Sequence, residues 1–565
     1  MTYVPPIEDQ LFVLRHIVGI DALAEAGFPD ATDDTVAAIV DGAGAFAAGA
    51  FAPLNRIGDA VGARWSPEGV TLPDGFRAAY RAYVEGGWGT LAGPPDFGGQ
   101  GLPLSLASVV MEDLGSANMG FSLVMMLTPA AVEALKHHGT PDQQATWLPK
   151  LVTGEWTGTM NLTEPQAGSD VGALKTRAEP AGDGSWRITG TKIFITYGEH
   201  DLADNIVHLV LARTPGARAG TKGISLFIVP KILPDGRRND LRCVSIEHKL
   251  GIHASPTCVM SYGDEGGATG WLIGGEMGGM RAMFTMMNNA RLNVGLQGVS
   301  IAERAMQAAV AYAGQRVQGS RDGRPAPIVA FPDVRRMLLR MKALTQAARA
   351  LVYYTAGCTD RASLGDGEGG LRADLLTPLA KAYGTDVGCE VASLGVQVHG
   401  GMGYIEETGA AQHYRDSRIA PIYEGTNGIQ AADLVGRKLG LEGGAVLARL
   451  LDDVEAGSDG HEALAALAAA CRRVAARLRS AGADDRLAGS YPFLTMLSVA
   501  TCGWLMAKSL AALETAGAPP LYAEMKRAAC RFYLDRIVPE ALGLEPAATA
   551  GAELLYSISE EAFTA

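Results

Sequence analysis

The sequence lacks a C-x-x-C pair, a clustered metal-ligand set, an excess of basic charge and a long uninterrupted apolar run. Its seven cysteines (243, 258, 358, 389, 471, 502 and 530) are scattered and odd in number. That argues against a disulfide framework and fits a reducing compartment, with each thiol expected to be a small buried hydrophobe. Ten histidines include the adjacent His137 and His138, but no spacing matches a metal site, so no metal is assigned. No stretch reaches ~18 uninterrupted apolar residues, the length of a membrane span. Met1 to Glu8 carries Pro5-Pro6 but no basic segment leading into an apolar one, so no export signal is expected. The expectation is a soluble, cytoplasmic protein without a membrane span.

A formal net charge of −13 argues against nucleic acid as a partner of the whole chain. Residues 451–565 hold 10 Lys/Arg against 15 Asp/Glu, so no basic module hides at that end. At 565 residues the chain exceeds one core, and about three or four domains are expected.

Periodicity divides the chain into four. From Ile7 to about Glu155 it is mostly helical, as in Asp33 to Phe51, Pro103 to Leu114 and Thr128 to His138. Thr140-Pro141-Asp142-Gln143 supplies a further helix start. From Gly154 to about Leu272 come short β-branched runs: Trp186–Gly190, Lys192–Thr196, Ile206–Leu211 and Gly223–Pro230. Gly, Pro and Asp punctuate them, as in an antiparallel β-domain. Helical patterning returns over Met280 to Gln315, Val334 to Cys358 and Leu375 to Gln397, with Gly365–Gly370 read as a linker. A last helical block begins near Gly443, with breaks around Gly482 and Pro519-Pro520. The fold class is therefore α+β multidomain. Its expected parts are an N-terminal helical domain with a lead segment (1–157), a middle antiparallel β-domain (158–274), a helical bundle (275–442) and an extra C-terminal helical domain (443–565).

Three segments carry chemistry. In Ile422-Tyr423-Glu424-Gly425-Thr426-Asn427-Gly428-Ile429 one acid sits among apolar neighbours on a Gly-rich turn. Desolvation there raises a carboxyl toward neutrality, which suits a general base; a surface turn with an incidental Glu has the same composition. In Met160–Asp170, Thr163, Gly168 and Ser169 crowd a helix-to-strand turn that can present donors to a phosphate or a flavin, or simply cap itself. Phe194-Ile195-Thr196 closes a strand with an aromatic and a hydroxyl, suited to a planar ring or to an ordinary core.

In this order and spacing the three segments resemble the acyl-CoA dehydrogenase family over about residues 30 to 440. Arg316-Val317-Gln318-Gly319 and Gln397-Val398-His399-Gly400-Gly401 add to the resemblance. The lead segment and the block after 440 resemble the family's larger bacterial subgroup, which includes 3-methylmercaptopropionyl-CoA dehydrogenase. The resemblance implies FAD, with Met160, Leu162, Thr163, Ser169, Phe194, Ile195, Thr196, Arg316, Gln318, Gln397, Gly400, Gly401 and Thr426 as cofactor contacts. It implies Glu424 as the base that takes the α-proton while the β-hydrogen leaves as hydride to flavin N5. Ser169, Arg291 and Gly425 are implied to contact substrate, a medium- or long-chain fatty acyl-CoA or 3-methylmercaptopropionyl-CoA. Some members carry the base just before the arginine; here that residue is Ala290, which leaves Glu424 without a competitor. Phe194 stands where many members have Trp, Gly428 where many have Gln, and Phe331 where the subgroup often has His. Electron-transfer flavoprotein is the implied acceptor and a homodimer the implied assembly. Alternatives are an acyl-CoA oxidase and a DNA-associated flavoprotein of the same superfamily, the latter opposed by the acidic last block.

Overall fold

A computed structural model describes residues 3–565. The lead segment forms α1 (Ile7–Val13), followed by α2 (Asp33–Phe46), α3 (Leu104–Ala117), α4 (Met119–His138) and α5 (Pro141–Thr153). Asn118 accepts from the Phe121 N–H and starts α4 nine residues earlier than the Thr128 start read from periodicity. The α5 start is a reciprocal cap: Thr140 Oγ1 accepts from Gln143 N (3.2 Å), and Gln143 Oε1 accepts from Thr140 N (3.0 Å).

Eight strands follow: β1 (Trp156–Asn161), β2 (Arg177–Pro180), β3 (Trp186–Thr196), β4 (Asn205–Ala212), β5 (Ser225–Pro230), β6 (Leu241–Ile246), β7 (Thr257–Tyr262) and β8 (Ala268–Ile273). They build one sheet in the order β1-β4-β5-β8-β3-β7-β6, with β2 on β3. Its pairs are antiparallel except β1 with β4, which run parallel from Trp156↔Asn205 to Asn161↔Val210. Two short hairpins escape the periodicity reading, Arg64–Ser66 with Gly69–Thr71 and Val317–Arg321 with Arg324–Pro327.

The bundle is built mainly from α6 (Gly279–Gln315), α7 (Pro332–Ser363), α8 (Gly367–His399) and α9 (Asn427–Gly436), with a short helix at Ala410–Ser417 between the last two. The break between α7 and α8 is shorter than the Gly365–Gly370 linker read from the sequence. Asp366 caps α8 by accepting from Glu368 N, which draws Gly367–Gly370 into the helix. Helices α6 and α8 touch backbone to backbone: a Cβ on Gly298 would lie 2.0 Å from the Gly384 carbonyl oxygen. Only glycine permits that approach.

The last unit contains α10 (Ala445–Ala456), α11 (Glu462–Ser480), α12 (Ser490–Ala512) and α13 (Pro520–Phe532). Helix α12 is apolar because it is buried against α7, α8 and α9 as well as its own unit. By length and composition three helical stretches could cross a membrane, Asp33–Val61, Met119–His138 and Ser490–Ala512; the last two are largely enclosed by protein. A buried ionic cluster ties the ends of the chain together. Arg349 on α7 donates to Glu112 on α3, Glu303 on α6 (2.8 Å) and Asp9 on α1 (2.5 Å). Asp9 also accepts from Lys526 (2.8 Å) and Tyr522 (2.9 Å) of α13. All seven cysteines are free thiols and six are buried.

Candidate active site

Glu424 sits on a turn that its own sequence would avoid. Its φ is +55°, a region costly for a residue with a Cβ, and Gly425 follows at +84°. The turn is clamped at both ends. Asn427 N donates to Pro421 O (2.9 Å), Tyr423 OH donates to Gln297 on α6, and Gln430 Nε2 donates to Gly425 O (3.2 Å). A Cβ on Gly425 would come within 2.8 Å of Gln430 Nε2. Among the described residues, neither the Glu424 carboxylate nor its backbone N–H has a protein hydrogen-bond partner. The strain therefore buys a carboxylate and an amide left open for something else.

Burial raises the Glu424 carboxyl above its usual range, and the charges of Arg291 and Lys381 pull it part of the way back. Arg291 is buried on α6 directly before Leu292, with Nη1 3.8 Å from Asp433 Oδ2 on α9. Its Nε has no partner among the described residues. That geometry braces the Glu424 turn: Nη2 lies 3.8 Å from where a Gly425 Cβ would be. Thr426 caps α9 by accepting from Ile429 N (3.2 Å), so its hydroxyl oxygen is already engaged while its O–H is free to donate.

The turn after β1 is held from beneath by a buried pair that sequence reasoning missed. Lys192 Nζ on β3 donates to Glu164 Oε1 (2.8 Å) and Leu162 O (3.0 Å). Glu164 also accepts from Lys175 N (2.6 Å) and Thr176 N (3.0 Å). Burial would raise Glu164, but Lys192 and these donors hold it down at about 2; burial draws Lys192 down to about 8. The pair stiffens the stretch that carries Met160, Leu162 and Thr163, while Ser169 lies exposed at its far end. The signal was present in Thr163-Glu164-Pro165: an acid too close to the turn to be solvated.

At the end of β3 the register against β7 shifts between Lys192 and Ile195. This bulge puts Phe194 at φ +60° and leaves its ring 58 % exposed. The Ile195 side chain turns into the β-sheet core, so it is the backbone of Ile195 that is left to face a ring there. Thr196 is half-buried beside Tyr197, whose hydroxyl donates to Gly120 O (3.0 Å) on α4.

A second group of predicted residues gathers elsewhere on the surface. Arg316 ends α6 and Gln318 lies on the exposed hairpin after it. Tyr312, one turn before Arg316, stacks on His399 (4.4 Å between centroids) and so brings the end of α8 to the end of α6. Gln397, Gly400 and Gly401 are exposed at that end, Gly400 at φ +59° with open space where a Cβ would go. Open glycine backbone, an exposed guanidinium and unpaired polar side chains form a donor set suited to a pyrophosphate. An outward aromatic with neighbouring hydroxyls suits a planar heterocycle. The residues present thus fit an FAD in two places, the ring by β3 and the charged end by α6 and α8.

A cavity of about 770 Å³ lies along α6, lined in part by Met111, Met125, Pro129, Val132, Asn289 and Leu292. Its α6 residues flank Arg291, but Glu424 is not among those lining it. Met119, Met126, Met283 and Met286, from the same helices, are core.

Comparison with known proteins agrees with this layout. Residues 35–155, 159–264 and 277–439 match the N-terminal, middle and C-terminal domains of acyl-CoA dehydrogenase, and 455–559 match an acetyl-CoA dehydrogenase C-terminal-like domain. The chain is 47 % identical to 3-methylmercaptopropionyl-CoA dehydrogenase of Ruegeria pomeroyi, covering 91 % of this chain and 92 % of that one. It is 34 % identical to a butyryl-CoA dehydrogenase of Syntrophomonas wolfei, covering 90 % of each. The crystal structure of an acyl-CoA dehydrogenase complexed with FAD from Bacillus anthracis shares the fold, with a TM-score of 0.75 at 23 % identity over 95 % of this chain and 90 % of that one. With all three domains matched in order around one unpaired glutamate, the chain belongs to the acyl-CoA dehydrogenase family.

Proposed function

We propose that this enzyme removes two hydrogens from the Cα–Cβ bond of an acyl-CoA thioester, with Glu424 as the base. The observation that carries the reading is the open carboxylate and open N–H of a single strained residue. The carboxylate takes the α-proton, and the N–H can donate to the thioester oxygen as negative charge develops there. Burial makes the carboxylate a stronger base than one in water. FAD, when bound, supplies the acceptor for the β-hydrogen, which departs with its electron pair and leaves a C=C bond. Phe194, Thr163 and Thr196 would hold its ring, with Met160, Leu162, Ser169 and Thr426 around it. Arg316, Gln318, Gln397, Gly400 and Gly401 would hold its charged end. Arg291 fixes the base turn and the substrate end of α6.

Among substrates we favour 3-methylmercaptopropionyl-CoA and short acyl-CoAs, because relatives that cover nine-tenths of this chain act on such thioesters by name. Electron-transfer flavoprotein is the proposed acceptor, a homodimer the proposed assembly and the cytoplasm the proposed location. The test is a panel of acyl-CoAs incubated without oxygen in the presence of electron-transfer flavoprotein, with products read by mass. A loss of two hydrogens, fastest for 3-methylmercaptopropionyl-CoA, is expected. No enoyl product from any thioester would overturn the reading, and peroxide formed in air in step with turnover would overturn the choice of acceptor.

A further inference from the structure

Helix α9 starts three residues after Glu424, so whatever holds its first turn also holds the base. Asn427, its first residue, is buried and commits its whole side chain to α8. Its Nδ2 donates to Ala382 O (3.1 Å), Thr385 Oγ1 (3.0 Å) and Asp386 Oδ1 (2.8 Å). Its Oδ1 accepts from Lys381 Nζ at 2.8 Å. The other oxygen of Asp386 accepts from the hydroxyl of Tyr491, at 2.7 Å. Tyr491 belongs to α12 of the last helical unit, and α12 packs against α9. An unbroken chain of contacts thus runs from the extra unit to a fully buried lysine whose charge reaches Glu424.

We infer that Tyr491 is a positioning residue for the base: through Asp386, Asn427 and Lys381, the last helical unit fixes the Glu424 turn and the cation that faces it. The inference rests on the reading of Glu424 as the base. It gives the 443–565 block a part in catalysis where a mere outer cap would have none.

The charges around these groups give the coupling a sign. Glu424 faces Arg291 from α6 and Lys381 from α8, with the Tyr423 phenol adjacent. Arg291 in turn faces Asp433 of α9, Arg437 just beyond its end and Asp374 of α8. Burial draws Lys381 down to about 7, against the pull of Glu424 and Asp386, while Arg291 pushes it further down. Burial raises Asp386, and the donors Tyr491 and Asn427, with Lys381 and Arg418, restrain that rise. Removing the Tyr491 hydroxyl therefore favours protonated Asp386, which loosens the proton on Lys381. Glu424 then loses a neighbouring positive charge and becomes harder to ionise.

The test compares FAD-loaded wild type with Tyr491→Phe, Lys381→Met and the double variant. Two readouts are taken: the pH dependence of kcat/KM and amide hydrogen exchange over residues 419–436. Lys381→Met should move the rising limb of the profile up by about one pH unit. Tyr491→Phe should move it the same way by less, and speed exchange in the base turn and α9. The double variant should sit with Lys381→Met alone, since both act on one path. If Lys381→Met fails to load FAD, Asp386→Asn replaces it with the same expected direction. A limb and an exchange pattern unchanged in Tyr491→Phe would overturn the coupling. Full turnover in Glu424→Gln would instead overturn the reading of the base, so the two failures are distinguishable.

Discussion

Of the seven described non-glycine residues with positive φ, Glu424 and Phe194 are the two assigned to the proposed site, where strain is accepted for the sake of function. Phe194 is the cleaner case, because its exposed ring has no folding role that the core could supply. Replacing it with glycine relieves the backbone, so Phe194→Gly should raise the stability of the cofactor-free protein by about 1 kcal/mol and weaken FAD binding about tenfold. Thermal melting and a flavin titration measure the two; tighter FAD binding in the variant would contradict the assignment. The Lys192–Glu164 pair is the opposite case, a support with no access to substrate. Lys192→Met would strand a buried carboxylate, and its expected cost is about 3 kcal/mol in denaturant unfolding. Because Glu164 is held at about 2, below its ordinary 4.5, the stability that it contributes is present above pH 4.5 and is lost as pH falls through about 2.

At the scale of elements, what was legible in the sequence depended on period. Long helices such as α6 and the strands β4 and β5 declared themselves because one spacing persists along each. The caps of α4 and α8 did not, since Asn118 and Asp366 extend helices across residues with weak patterning. The parallel pairing of β1 with β4 was invisible for another reason: strand direction is settled by the connection through β2 and β3, not by residue type. Of the site, the Glu424 turn and the β3 end were readable as local motifs. Lys381 was not, although a lone lysine in Leu379-Ala380-Lys381-Ala382-Tyr383 is a charge inside an apolar stretch. Its importance comes from Asn427, 46 residues away, and contacts of that range leave no mark on local pattern. That Ile195 can offer only backbone was not readable either, because a bulge changes which side of the strand faces the core.

Across the whole molecule, the lead segment and the last helical unit close on each other through Asp9, Arg349 and Lys526. Beside that cluster Asp113 accepts from Tyr3 OH (2.6 Å) and Gln10 Nε2 (2.7 Å) on a single oxygen. Burial and the nearby Glu112 push it up to about 7, outweighing those two donors. A carboxyl raised in the fold stabilises it below its ordinary 3.8, and that contribution drains away as pH rises toward 7. Asp113→Asn keeps both acceptor contacts, so its stability relative to wild type should improve steadily between pH 4 and 7; a pH-independent difference would contradict this. In the proposed reading, the enclosed bundle serves one end, holding the Glu424 carboxylate open to substrate. The most direct test mixes FAD-loaded Glu424→Gln with excess 3-methylmercaptopropionyl-CoA without oxygen and follows the flavin's visible absorption. Bleaching slowed by at least about a hundredfold against wild type, with FAD still bound, is the predicted result; bleaching at the wild-type rate would contradict it.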